Sequence, residues 1–181
     1  MKEIRIHARA GQGAITTAML LGEAVFAEDK YALAFPYFGA ARMGAPMNAF
    51  VRINDKPIRL RSQIYEPDYI IVVDATLLRG FDVFKGLKKG GIAIINKREG
   101  IQAPKIKDAK IYEIPANDIA QKILGRPLGN TALLGAFAAA TGEVELKSLE
   151  AAVVKRFPGK MGEKNAEAVK AGFEAVSKEK K

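Results

Sequence analysis

The run Glu3-Ile4-Arg5-Ile6-His7-Ala8-Arg9-Ala10-Gly11-Gln12-Gly13-Ala14-Ile15-Thr16-Thr17-Ala18 decides the fold. From Glu3 to Ala8, Ile4 and Ile6 alternate with Arg5 and His7, the period of two that a strand with one buried face requires. Ala10-Gly11-Gln12-Gly13 then supplies residues able to turn sharply. From Ala14 to Glu28 there is no proline, and Ala14, Ala18, Leu21 and Val25 recur at helical spacing, so a helix comes next. A strand passing through a glycine turn into a helix is the opening unit of an α/β fold.

Working outward, Tyr31 to Phe35 reads as a second strand ended by Pro36, and Tyr37 to Pro46 as a loop of glycine, small residues and one arginine. Met47 to Ile53, the polar Asn54-Asp55-Lys56 and Pro57 to Leu60 read as a hairpin, which makes the sheet mixed. Tyr69-Ile70-Ile71-Val72-Val73-Asp74 is a β-branched run ending in an acid, the pattern of a central strand covered by helices on both faces. Gly91 to Asn96 and Lys110 to Ile114 are further strands, with helices expected at Thr76 to Leu87 and Ala116 to Leu124. Three more helices are expected at Thr131 to Thr141, Leu146 to Arg156 and Glu163 to Lys178, with Phe157-Pro158-Gly159 as a break. The expected architecture is one α/β domain over residues 1–181. Its mixed, largely parallel sheet is flanked by helices, with a Rossmann-like first βα unit and a helical C-terminal third.

Composition narrows the chemistry. At 49% hydrophobic and 27% charged, the 181 residues have the balance of a globular domain. The longest apolar stretch, Ala132 to Ala140, is too short to cross a bilayer. The N-terminus shows no apolar export segment, so the expected location is the cytoplasm. With no cysteine there can be no disulfide, thiolate metal site, cysteine-held iron–sulfur cluster or cysteine nucleophile, and a single histidine argues against a protein metal centre. The net charge of +9 fits an anionic cofactor, an acidic protein partner or nucleic acid.

Gly11-Gln12-Gly13, between strand and helix, reads either as a phosphate cradle, with free N–H groups and the helix dipole aimed at an anion, or as a bare tight turn. An NAD site is disfavoured: Ala8 and Ala10 do not supply the first glycine of the dinucleotide fingerprint, and the second strand ends in Ala34-Phe35-Pro36 without an acid. Asp74 stands at the carboxyl end of the central strand, as a ligand-edge residue or as the cap of the next helix. His7 could reach a phosphate or simply pack. Arg42, alone among small residues, reads as an anion or subunit contact or as a tie for its own loop. Arg52, Arg59 and Arg61 read equally as an exposed solvated face or a binding stripe. No Ser-His-Asp arrangement is apparent, and the lysines are too scattered for a nucleic-acid face.

These segments, in order and over nearly the whole chain, resemble the gamma subunits of pyruvate and related 2-oxoacid:ferredoxin oxidoreductases. The family's G-x-G-G-Q-G turn corresponds to Ala8-Arg9-Ala10-Gly11-Gln12-Gly13, and its F-G-x-E-R-x-G-A-P segment to the stretch from Phe35 to Pro46. Ala49-Phe50-Val51-Arg52-Ile53, Pro67-Asp68, Asp74, Asn130 and Leu134-Gly135-Ala136 also match. Ala8 and Ala10 replace turn glycines, and Ala41 stands where many relatives carry glutamate. The resemblance implies a complex that oxidatively decarboxylates a 2-oxoacid, pyruvate by its lean, to acyl-coenzyme A and CO2 while reducing ferredoxin. It implies alpha, beta and delta partner subunits carrying thiamine diphosphate, magnesium and [4Fe–4S] clusters, and no catalytic residue on this chain. Gly11, Gln12, Gly13 and Arg42 are then expected to border the coenzyme A phosphates or the subunit seam. The competing readings are a stand-alone nucleotide-binding α/β enzyme, which would turn over a substrate alone, and a basic nucleic-acid-binding protein, whose affinity would fall steeply with salt.

Overall fold

The computed structural model describes residues 1–37 and 42–179. Six strands form one sheet in the order β2-β3-β1-β4-β5-β6, with β1 Lys2–Arg9, β2 Tyr31–Tyr37, β3 Pro46–Asn54, β4 Tyr69–Val72, β5 Ile92–Asn96 and β6 Lys110–Ile114. β1, β4, β5 and β6 are parallel neighbours, while β3 runs antiparallel to both β1 and β2. The sheet is therefore mixed and mainly parallel, and the connection from β1 through α1 (Ala14–Phe26) to β2 steps over the place that β3 fills.

The remaining helices are α2 Ala116–Leu124, α3 Asn130–Thr141, α4 Leu146–Arg156 and α5 Lys160–Glu179. They build a helical C-terminal third, and the Phe157-Pro158-Gly159 break separates α4 from α5. The main core lies between these helices and one sheet face, where Ile4 and Ile6 of β1, Leu21 of α1 and Leu133, Leu134 and Phe137 of α3 are fully buried. Nine of the twelve residues of α3 are buried, which makes it the hub of this layer. Its approach to α5 is set by two glycines: a methyl on Gly135 would overlap the carbonyl of Val169, and one on Gly172 the carbonyl of Ala132. Backbones that close leave room only for hydrogen.

The other sheet face differs from expectation. Tyr69 to Asp74 reads as a strand covered by helices on both sides, but among the described residues the second face carries a smaller core of Ile70, Val72, Ala93 and Ile95 under loops and one 3₁₀ turn, Ala75–Arg79. The helix expected over Thr76 to Leu87 stops at that turn. Gly80 ends it, Gly86 sits at a φ of 76°, and the carbonyls of Val83 and Lys85 accept from Arg5 Nη2 rather than from a helical turn.

The hairpin is also corrected. β3 pairs with β2 and β1, and Pro57 to Leu60 is not a strand. Arg52 explains why. It is 1% exposed, lies directly opposite Glu3 in the register, and donates from Nε to Glu3 Oε1 at 2.9 Å and from Nη1 to the carbonyls of Leu60 and Ser62 at 3.0 and 2.7 Å. The guanidinium thus satisfies the carbonyls that a hairpin ladder would otherwise have used, and Arg52 is a buried clamp rather than part of an exposed face. Finally, Pro36 lies inside β2 instead of ending it. β2 is an edge strand, where a missing N–H is tolerated.

Candidate functional site

The carboxyl ends of β1, β4 and β5 meet at one edge of the sheet, the edge at which parallel α/β sheets hold ligands. The glycine turn leaves β1 there. Gly11 and Gly13 have φ of 97° and 83°, values that only glycine adopts without strain. Gly13 caps α1 with no side-chain bond, so the N–H groups of the first turn have no partner within the helix and face outward with the positive end of its dipole. A side chain at Gly13 would meet the Asn130 amide at 2.9 Å, which places the start of α3 against the same turn.

Gln12 holds the turn in shape. Its Oε1 accepts from the Arg9 N–H at 2.9 Å and its Nε2 donates to Asp74 Oδ2 at 2.6 Å. Asp74 does act as a cap, its Oδ1 accepting from the N–H and hydroxyl of Thr76 at 2.9 and 2.7 Å. Arg9 completes the group: Nε donates to Thr76 Oγ1 at 3.0 Å and lies 3.4 Å from Asp74 Oδ2, while Nη1 donates to the Gly44 carbonyl. Burial pushes the Asp74 carboxyl upward, but the hydrogen bonds from Thr76 and Gln12 and the charge of Arg9 outweigh it and hold the group below its ordinary value. Asp74 is therefore a fixed anion that organises the turn, unsuited to exchanging protons near neutrality.

Arg42 comes to this rim through its backbone. Ala10 N–H donates to Ala45 O at 2.8 Å, Gly44 N–H to Ala10 O at 3.0 Å and Ala45 N–H to Arg42 O at 2.9 Å. The segment 42–45 is thereby stitched to the glycine turn with the Arg42 side chain exposed. The middle of this loop, residues 38–41 with Ala41 among them, lies outside the described residues. Of the two alanines that replace turn glycines, Ala8 is fully buried and its methyl fills the helix-side core. Ala10 is half-buried and paired through both backbone groups.

Beside the turn, a cavity of about 260 Å³ opens between the ends of β4 and β5, lined by Gln12, Asp74, Asn96, Arg98 and Asn117. Asn96 is 4% exposed and donates to the Val73 carbonyl at 3.0 Å and to Asn117 Oδ1 at 2.9 Å; that oxygen also accepts from the Gly129 N–H ahead of α3. Sequence reading missed Arg9, Asn96, Arg98 and Asn117. Only Asn96 carried a signal, as the polar end of an apolar strand in the manner of Asp74. His7 does not join the site. It lies on the other sheet face, accepts at Nε2 from Arg5 Nε at 3.0 Å, and is driven down to about 3 by burial and by the charge of Arg5.

The rim offers N–H groups and cations suited to an anion, and among the described residues it brings together no nucleophile–base pair. Among the described residues no three His, Cys, Asp or Glu side chains gather as a metal site, and no helix is long and apolar enough to cross a membrane. With no cysteine in the sequence, the donors present do not fit a cysteine-held iron–sulfur cluster.

Comparison with known proteins matches the family model described as pyruvate ferredoxin/flavodoxin oxidoreductase over residues 3–175. The pyruvate/ketoisovalerate oxidoreductases common subunit gamma of Thermococcus litoralis is 51% identical over 178 residues, 96% of each chain. The crystal structure of pyruvate oxidoreductase subunit PORC from Thermotoga maritima superposes with a TM-score of 0.81 at 36% identity, covering 96% of this chain and 95% of that one. A 2-oxoglutarate:ferredoxin oxidoreductase from Magnetococcus marinus, solved with 2-oxoglutarate, coenzyme A and succinyl-CoA bound, also reaches 0.81. That match covers 98% of this chain and 31% of the other, and at 17% identity it speaks for the fold alone. The chain belongs to the pyruvate ferredoxin/flavodoxin oxidoreductase family, as one of its gamma subunits.

Proposed function

We propose that this chain serves a pyruvate-oxidising 2-oxoacid:ferredoxin oxidoreductase, as the subunit that borders coenzyme A at the subunit seam. In this reading the alpha, beta and delta subunits hold thiamine diphosphate, magnesium and [4Fe–4S] clusters and pass electrons to ferredoxin in the cytoplasm. Coenzyme A supplies the thiol that accepts the acyl group; this chain binds and orients its phosphates. The observation that supports the reading is the stitching of the Arg42 segment to the residue that opens the glycine turn, with the Arg42 side chain exposed on the segment next to the start of α1. Arg9 is already committed to Asp74 and Thr76, so Arg42 on the turn side, with the exposed Lys97 and Arg98 across the cavity, is a cation of this rim able to reach outward. Gln12 acts through the turn, since both ends of its amide are engaged.

Titration calorimetry of the assembled complex with coenzyme A tests this. Loss of one charge-assisted hydrogen bond, about 1.5–3 kcal/mol, predicts roughly 10- to 100-fold weaker binding for Arg42→Ala. Gln12→Ala, which loosens the turn by removing its bonds to the Arg9 N–H and Asp74 but no contact to coenzyme A, should weaken binding several-fold less. Unchanged affinity in both variants refutes the assignment.

A further inference from the structure

The surface opposite the helices remains unexplained by the rim. Tyr37, Tyr65 and Phe81 are 44, 70 and 53% exposed, yet all three line one cavity of about 440 Å³ whose floor is formed by His7, Asn48 and Phe50. Phe81 also lines a neighbouring cleft with Pro104 and Ile106, and those two continue into a third beside the edge strand β6. An apolar track bearing exposed aromatic rings thus crosses the face that no helix covers among the described residues. Aromatic side chains standing in water at the mouth of an apolar cavity are the usual anchor points of protein interfaces.

The border of the track is basic. Between Arg79 and Glu113 the sequence holds nine Lys or Arg against four Asp or Glu, of which Lys97, Arg98 and Glu99 line the rim cavity and the others lie outside it. Arg79, Lys85 and Lys105 are exposed in its linings, against Asp82 and Glu113. The floor beneath is rigid. Arg5 Nη1 and Nη2 donate to the carbonyls of Ile64, Tyr65, Val83 and Lys85, which fixes the two loops that present Tyr65 and Phe81. A preorganised face of this kind loses little freedom when it is covered.

We infer that this face, centred on Phe81, is where the chain docks against an acidic surface of another subunit of its complex. The inference rests on the gamma-subunit reading but not on the coenzyme A assignment. Charge chooses the occupant: a second copy would set like charge against like, whereas a negatively charged neighbour would be steered in and held.

Site-specific photo-crosslinking in the complete complex tests the inference, with benzoylphenylalanine replacing Phe81 and, as control, Val154, which is 46% exposed on α4. The expected result is an adduct from position 81 to a different subunit and none from position 154. In parallel, the double variant Lys85→Glu/Lys105→Glu, whose sites are exposed and whose melting temperature should match wild type, should lose at least tenfold in affinity for its partner subunits. Adducts only from position 154, adducts only between copies of this chain, or undiminished affinity of the double variant would each overturn the docking face. So would a double variant that sheds bound nucleic acid while keeping its subunits. If the chain co-purifies with no other polypeptide at all, the gamma-subunit reading itself falls, an outcome distinct from the others.

Discussion

Replacing Arg52 with methionine removes a buried guanidinium while keeping most of its apolar length. Three consequences can be weighed. Glu3 loses its 2.9 Å partner but keeps Lys88, whose Nζ lies 3.6 Å from the other carboxylate oxygen, so it is not left as an isolated buried charge. The carbonyls of Leu60 and Ser62 lose their donors, yet Leu60 is 48% exposed and water can replace the bond there. The stacking of the guanidinium over the Phe35 ring, 5.7 Å from its centre, is exchanged for thioether packing. Breaking a buried pair costs about 3–5 kcal/mol, and the two compensations place this one near the lower end, about 3 kcal/mol. For a chain of this size that is a fall of roughly 6–12 °C in melting temperature. Urea unfolding of the isolated subunit measures it, with Glu3→Gln and the double variant closing a thermodynamic cycle. Glu3→Gln, which retains a neutral acceptor, should cost about 1 kcal/mol. A loss below about 1 kcal/mol for Arg52→Met, or independence of the two sites in the cycle, would show that the clamp does not hold the second sheet face.

Other predictions concern stability and its pH dependence. Gly135→Ala forces α3 away from α5 and should cost about 3 kcal/mol, whereas an alanine at Gly125, where a side chain meets only open space, should cost about 1 kcal/mol for its left-handed backbone alone; equal losses in thermal unfolding would contradict the close crossing. His7 is held neutral down to about 3, so the unfolded chain binds a proton that the folded chain refuses. Stability should therefore be complete above about pH 6.5 and fall by up to ~1.4 kcal/mol per unit as pH drops toward 3, and His7→Gln should flatten that slope between pH 6 and about 4.5. Asp74 acts in a lower window: its depressed carboxyl contributes stability that is present above about pH 4 and lost as pH falls through the folded value, so Asp74→Asn should be less stable than wild type at pH 7 and converge on it in acid. Parallel curves for wild type and either variant would remove the corresponding assignment.

The two faces of the sheet were unequally legible, and the reason is physical. α1, α2 and α4 were placed within a few residues because each buries one face at a repeat of 3.6, α3 because it is an apolar run buried nearly all round, and the strands because β1 alternates while β4 and β5 are continuous apolar runs. The second face has no such repeat. It is covered by backbone in irregular conformation, whose carbonyls need donors that neither helix nor strand supplies. Arg5 and Arg52 supply them, at the positions where alternation reads a charged residue as solvent-facing. The same periodicity that located the strands therefore misassigned the side chains that hold their far side in place, and the expected helix over Thr76 to Leu87 failed for the reason that made Arg5 necessary. The rim divides along the same line. Gly11 and Gly13 were legible because a left-handed turn admits little else, but Gln12 contacts Asp74 across 62 residues and Asn96 contacts Asn117 across 21. Such pairs depend on which strands lie adjacent: Gln12 and Asp74 follow the parallel neighbours β1 and β4, while β3 enters on the other side, between β1 and β2. β3 pairs with β2 on one side and β1 on the other, and the residues that lead into it, Gly44 and Ala45, thereby reach Ala10 and carry the Arg42 backbone to the rim of the glycine turn.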